Sequence, residues 1–228
     1  MGAKIVDLVT KRYHPHSVFY HLGKRGGHVE ALRLHTQSSF FSRFDLENFY
    51  GNVIRSKVTR SLRSLGFGSR QAFDWATESV VVQGSRKALP QGFVQSPILA
   101  TLALERSALG LALIGLSNAV RVSVYMDDII LSAGTKEEVL EASSKLMQAA
   151  NEAEYPLASS KKALAEYGIQ AFNCNLQFGH MALTEGRMAD FANQWLEGSP
   201  YAKSAIDRYV SIINPADLER LRNVLRIT

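Results

Sequence analysis

Asp127 and Asp128 stand side by side in the run Tyr125-Met126-Asp127-Asp128, between apolar stretches at residues 122–124 and 129–131. Two ionised carboxylates this close repel each other. A fold that keeps them on an apolar strand pair therefore calls for a neutralising cation, with Mg²⁺ the natural choice. Successive strand residues point to opposite faces, so the two can face one metal pair only from a turn. A strand-turn-strand element is expected here. An Asp pair is also an ordinary polar turn, so the chemistry has to be decided by what else the chain carries.

Two more segments bear on it. Phe40-Phe41-Ser42-Arg43-Phe44-Asp45 is an apolar strand ending in a carboxylate, and the aromatic Tyr50 follows five residues later. Leu89-Pro90-Gln91-Gly92-Phe93-Val94-Gln95-Ser96-Pro97 is a loop that runs into an apolar, helix-like stretch. Glycine is expected where backbone must approach a ligand, and glutamine brings both a donor and an acceptor. Ser96-Pro97 reads as a cap followed by proline. The three segments come in the order and context that two-metal nucleotidyl transfer requires.

The elements that would position them follow from periodicity. Residues 18–22 and 28–34 flank Gly23-Lys24-Arg25-Gly26-Gly27 and read as a β-hairpin with a basic, glycine-rich tip. Helices are expected between residues 51 and 80, over 98–116 and over 135–153. A strand hairpin at 172–183 follows, then helices at 189–196, 202–213 and 215–225, the last opened by Asn214-Pro215. This is an α+β pattern.

At 228 residues with 46% apolar content, the chain can bury a substantial core. A net charge of +5 and a pI near 9.3 suit a polyanionic partner. Arg55, Lys57, Arg60, Arg63 and Arg70 could track a phosphate backbone, or form a solvated helix face. None of the six histidines has zinc-site spacing, and Cys174 has no cysteine partner. There is no signal-peptide pattern and no apolar run of membrane-spanning length, so a cytoplasmic enzyme without a membrane partner is expected.

Together the three segments resemble the reverse transcriptase family, with motif A at Asp45, motif B at residues 89–97 and motif C at 125–128. The Pro-Gln-Gly followed by Ser-Pro in motif B is most similar to prokaryotic members, the retron, group II intron and phage-defence enzymes. The resemblance covers residues 18–186. It implies a polymerase palm with an abbreviated fingers hairpin and a small helical thumb, divided as 1–44, 45–186 and 187–228.

It further implies that Asp45 and Asp127 hold two Mg²⁺ ions, with Mn²⁺ as a substitute, that Asp128 stands beside them as a weaker ligand or one step outside the metal's own ligands, and that the Leu46 carbonyl adds an oxygen. Tyr50 would lie under the nucleotide sugar and exclude a 2′-hydroxyl. Gln91 and Gly92 would meet the nucleotide and template. Lys162, or its neighbour Lys161, would protonate pyrophosphate as the motif D lysine. Lys24, Arg25 and Arg33 would contact the triphosphate.

The implied activity is RNA-directed DNA synthesis from deoxynucleotides on a DNA or RNA primer, with a structured RNA as template and antiphage defence as a role. The segment before motif A is short for the family, so a protein partner or a second copy is expected to complete the template groove. A polymerase-like subunit and template-independent or protein-primed synthesis are the alternatives.

Overall fold

The computed structural model describes residues 1–22 and 27–227. Lys24 and Arg25 lie outside the described residues. The centre is a four-stranded antiparallel sheet in the order β4-β5-β1-β6, with β1 at Phe40–Asp45, β4 at Arg121–Tyr125, β5 at Asp128–Ala133 and β6 at Ala163–Glu166. Both faces of this sheet are covered, which is why its strands read as nearly continuous apolar runs. Phe44, Val122, Val124, Ile129 and Leu131 belong to one buried cluster. Phe41 and Ile130 belong to a second, on the opposite face.

The first cluster is built with helices: α1 (Gly2–Thr10), α3 (Arg55–Ser64), α4 (Ser69–Ser79), α5 (Ser96–Glu105), α6 (Ala108–Leu116) and α7 (Lys136–Glu152). A short hairpin of β2 (Val81–Gln83) and β3 (Arg86–Ala88) follows α4. The second cluster holds α2 (Gly27–Arg33), the sheet β7 (Gly168–Ala171), β8 (Cys174–Gln177) and β9 (His180–Leu183), and the tail helices α8 (Glu185–Glu197), α9 (Pro200–Ile213) and α10 (Pro215–Ile227).

Three expectations are corrected. The stretch after the glycine-rich tip is helix α2 and not a strand; Val29 and Leu32, three apart, are buried while Glu30 pairs with Arg33 on the open side. Of residues 18–22, only Phe19 bridges to the sheet, in parallel with Val124. The helix expected over 98–116 is two helices bent by 71°, because Ser107 caps α6 with its side chain. Gly110 then lies so close to the end of α5 that a Cβ would sit 2.2 Å from the Leu104 carbonyl oxygen. Ser96 is not a cap either. It is the first helical residue, and its buried hydroxyl has no hydrogen-bond partner. No single helix among the described residues is long and apolar enough to cross a membrane.

The hairpin that carries the aspartates is held from behind by a buried polar cluster. His35 is fully buried, with Nδ1 2.7 Å from Ser132 Oγ on β5 and Nε2 2.8 Å from Ser123 Oγ on β4. Ser132 Oγ donates to Ser38 Oγ, which also accepts from Arg121. The imidazole thus ties the two strands together diagonally. A one-residue slip of either strand would break this bridge and turn every side chain to the wrong face.

The tail is fixed by Asp217, which is 1% exposed and accepts from the Leu183 N–H and from Arg220.

Burial, with the Arg121 charge adding to it, pushes the His35 pKa down to about 3 from 6.5. The folded protein holds this ring neutral where the unfolded chain would protonate it. Its contribution to stability is therefore complete above about pH 6.5 and is lost as pH falls towards 3. Replacing His35 with Leu leaves two buried hydroxyls short of a partner and should cost about 1–3 kcal/mol at neutral pH. Urea unfolding at pH 7 and pH 5 should show this cost, with a smaller acid loss in the variant than in the parent.

Candidate active site

β1 ends at Asp45, and the hairpin β4–β5 turns on only two residues, Met126 and Asp127, between the paired Tyr125 and Asp128. Such a tight turn needs a positive φ at its first central position. Met126 supplies it at +59° despite its side chain. The turn and the strand end are joined by backbone: the Leu46 N–H donates to the Asp127 carbonyl at 2.9 Å. From the other side, the Glu47 N–H donates to the Pro156 carbonyl, and the Asp45 carbonyl accepts from the Ala158 N–H. Asp45 is 6% exposed.

Asp45, Leu46 and Asp127 line one open cleft of about 620 Å³ together with Tyr50, Gln83 and Gln91. Tyr50 is half-buried, and both burial and the nearby Asp127 carboxylate push its hydroxyl pKa up. Phe49 backs it, with ring centroids 5.5 Å apart. Gln91 is exposed, as is Gly92 beside it, whose φ of +93° is a conformation only glycine adopts without strain.

Asp128 is placed differently. It lines a second cleft of about 600 Å³ with Arg43, Gln170, Asn173 and Thr184. Its Oδ1 accepts from Arg43 Nη2 at 2.6 Å and from Nε at 3.0 Å. The adjacent carboxylates therefore line different clefts, with Asp128 engaged by Arg43.

Arg33 is not in the first cleft either; its guanidinium donates to the Ile212 carbonyl on α9 and pairs with Glu30. Lys162 Nζ lies 3.0 Å from Met147 Sδ on α7, and it does not line that cleft. The Lys161 side chain is outside the described residues.

Asp45, Asp127 and the Leu46 carbonyl are oxygen donors, the hard set that Mg²⁺ prefers. No His, Cys, Asp or Glu joins them to make a three-residue metal cluster among the described residues. Two carboxylates suffice for Mg²⁺, which keeps waters and takes the rest of its shell from substrate phosphates. The residues present fit the ion.

Three features were missed from the sequence. Gln83 enters the cleft from the β2–β3 hairpin, and its Nε2 donates to the Leu89 carbonyl at 3.1 Å. That short hairpin carries too few apolar residues to be recognised. Arg43 was legible only through strand alternation, which puts it on the Asp45 face.

The third is an aromatic cluster around Tyr125, whose ring has His21, His28 and Phe172 at centroid distances of 5.3, 5.7 and 5.3 Å. His28 Nε2 lies 2.8 Å from the Tyr209 hydroxyl of α9. Burial lowers the pKa of both histidines.

Among curated proteins, the Gag-Pol polyprotein of avian reticuloendotheliosis virus is 30% identical over 118 residues, covering 51% of this chain and 10% of the polyprotein. The chain thus spans about a tenth of that relative.

Among solved structures, the foamy viral protease-reverse transcriptase with an RNA/DNA hybrid has a TM-score of 0.52 at 21% identity, over 87% of this chain and 23% of the other. Apo telomerase from Candida tropicalis has a TM-score of 0.55 at 10% identity, over 80% of this chain and 44% of the other. These share the fold. Residues 3–177 match the family described as reverse transcriptase (RNA-dependent DNA polymerase), which is most of the chain. The chain belongs to the reverse transcriptase family.

Proposed function

We propose that this chain is an RNA-directed DNA polymerase that extends a primer with deoxynucleotides. The observation that carries this reading is the cleft in which Asp45 and Asp127, joined through the Leu46–Asp127 backbone bond, meet Tyr50 and Gln91. The primer 3′-oxygen bonds to the α-phosphorus of the nucleotide, the bond to the β-phosphate bridge breaks, and pyrophosphate leaves. Asp45, Asp127 and the Leu46 carbonyl would hold Mg²⁺, which when bound supplies an activated 3′-hydroxyl and charge neutralisation on the leaving group.

The chain's own residues do the positioning. The Tyr50 ring, backed by Phe49, walls the cleft beside Asp127 and under this reading is the group that excludes a 2′-hydroxyl. Gln91 offers its amide to the incoming nucleotide, and Gly92 lets the strand pass close to the backbone. Lys162, exposed beside Met147 and outside the walls of this cleft, is the candidate proton donor to pyrophosphate under this reading.

The partners under this reading are an RNA template and a DNA or RNA primer, the kind of hybrid with which the foamy viral enzyme is described. The Pro90-Gln91-Gly92 and Ser96-Pro97 pattern supports a place among prokaryotic members, with antiphage defence the role this reading extends to.

Primer extension on an RNA template should require Mg²⁺ and stop with EDTA. Asp45→Asn and Asp127→Asn should each lower the rate by about 10²-fold or more without lowering the unfolding midpoint. Labelled product that does not follow the template would point instead to untemplated synthesis.

Tyr50→Ala should improve ribonucleotide use relative to deoxynucleotide use by roughly tenfold or more. Competition between the two nucleotides in single-turnover extension measures this, and an equal loss for both would reduce Tyr50 to a packing residue.

A further inference from the structure

We propose that Arg43 is a positioning residue that withholds Asp128 from the divalent-cation site, so that Asp45 and Asp127 are its only carboxylate donors. The inference rests on the polymerase reading of the Asp45–Asp127 cleft.

Asp45 and Asp128 are directly opposite each other in the β1–β5 register, and Asp127 precedes Asp128 in the chain. Three carboxylates are thus gathered at one end of the sheet. Like charges directly across a strand pair repel, so this gathering needs a counter-charge or a change of direction. Arg43 provides both. It lies two residues before Asp45 on the same strand face, diagonal to Asp128. Its Nε and Nη2 both donate to the same oxygen of Asp128, and its Nη1 donates to the Gln170 carbonyl on β7 at 2.6 Å.

The guanidinium is therefore aimed by a second sheet, not left to follow its own flexible stem. The pair is also shielded, with side chains 18% and 15% exposed, so solvent and salt weaken it less than a surface pair.

The geometry sorts the two adjacent aspartates. Asp127 lines the cleft with Asp45 and Tyr50, whereas Asp128 and Arg43 line a second cleft with Gln170. An ordinary structural ion pair would support the fold equally well whichever carboxylate took the cation. A withholding pair makes a specific demand on cation affinity.

Lysine cannot substitute, since its point charge has no planar fork to reach both the carboxylate and the Gln170 carbonyl.

The test is Mn²⁺ binding to the purified full chain without nucleotide, followed by loss of the free-ion electron paramagnetic resonance signal, with the unfolding midpoint recorded for every variant. Asp127→Asn should weaken binding roughly tenfold or more, whereas Asp128→Asn should change it by less than about threefold. Arg43→Gln releases Asp128 and should tighten binding by about threefold or more, and Arg43→Gln with Asp128→Asn should return it close to the parent value.

The double variant carries no unpaired charge, so it keeps the test open if Arg43→Gln alone fails to fold. Equal weakening by Asp127→Asn and Asp128→Asn would overturn the proposal. So would a tightening that survives in the double variant, since it would then come from removing the Arg43 charge alone.

Primer extension by the parent protein is judged separately. Its absence would count against the polymerase reading, while the Mn²⁺ series still judges Arg43.

Discussion

The register of β5 between β1 and β4 governs everything else in this molecule. It sets Asp45 opposite Asp128 and Tyr125 opposite Asp128, which leaves Met126 and Asp127 as the whole of the turn. Only with this pairing does the Leu46 N–H meet the Asp127 carbonyl and bring two carboxylates to one cleft. Backbone hydrogen bonds, not side-chain attraction, hold together groups that repel. The apolar layers on both faces of the sheet maintain the register, because a slip by one residue would exchange the side chains of the two buried clusters.

Several polar groups inside those layers are paired between elements that are distant in the chain. His35 joins the strands of the hairpin through Ser123 and Ser132. Ser42 Oγ accepts from the Ala165 N–H and from Ser143 Oγ, tying β1 to β6 and to α7. Glu105 accepts from the Tyr13 hydroxyl and the His16 N–H, anchoring the N-terminal segment on α5. The Ser42 cluster fixes the strand that ends at Asp45 and the His35 cluster fixes the hairpin that carries Asp127, and a buried polar network that is paired specifies one arrangement.

The catalytic skeleton was legible in the sequence because it depends on short-range patterns. An apolar strand ending in Asp45, a two-residue turn at Asp127 and a proline-glutamine-glycine loop each announce themselves within a few residues. Strand alternation even raised the difficulty of using both Asp127 and Asp128.

The chain segments that failed to read correctly depend on distant partners. Residues 28–33 alternate well enough to pass for a strand, and only the apolar surface offered by β5 and the tail helices makes the Val29–Leu32 spacing decisive. The bend at Ser107, where its side chain caps α6, brings Gly110 against Leu104. Arg33 and Lys162 are basic residues near the right motifs, but Arg33 pairs with Glu30 and donates to the Ile212 carbonyl, and Lys162 lies against Met147.

The aromatic cluster at Tyr125 has a consequence for how this cleft tolerates motion. Tyr125 is two residues from Asp127, and its ring is gripped by His28 from α2 and by Phe172 from the β7–β8 turn. His28 in turn holds the hydroxyl of Tyr209 on α9. The far end of the chain is thus braced against the turn that carries the aspartate, as a strut is braced against a hinge. Stiffness at Asp127 is a property contributed by residues some eighty positions away, so the tail belongs to the mechanics of the cleft although it lends no atom to its walls.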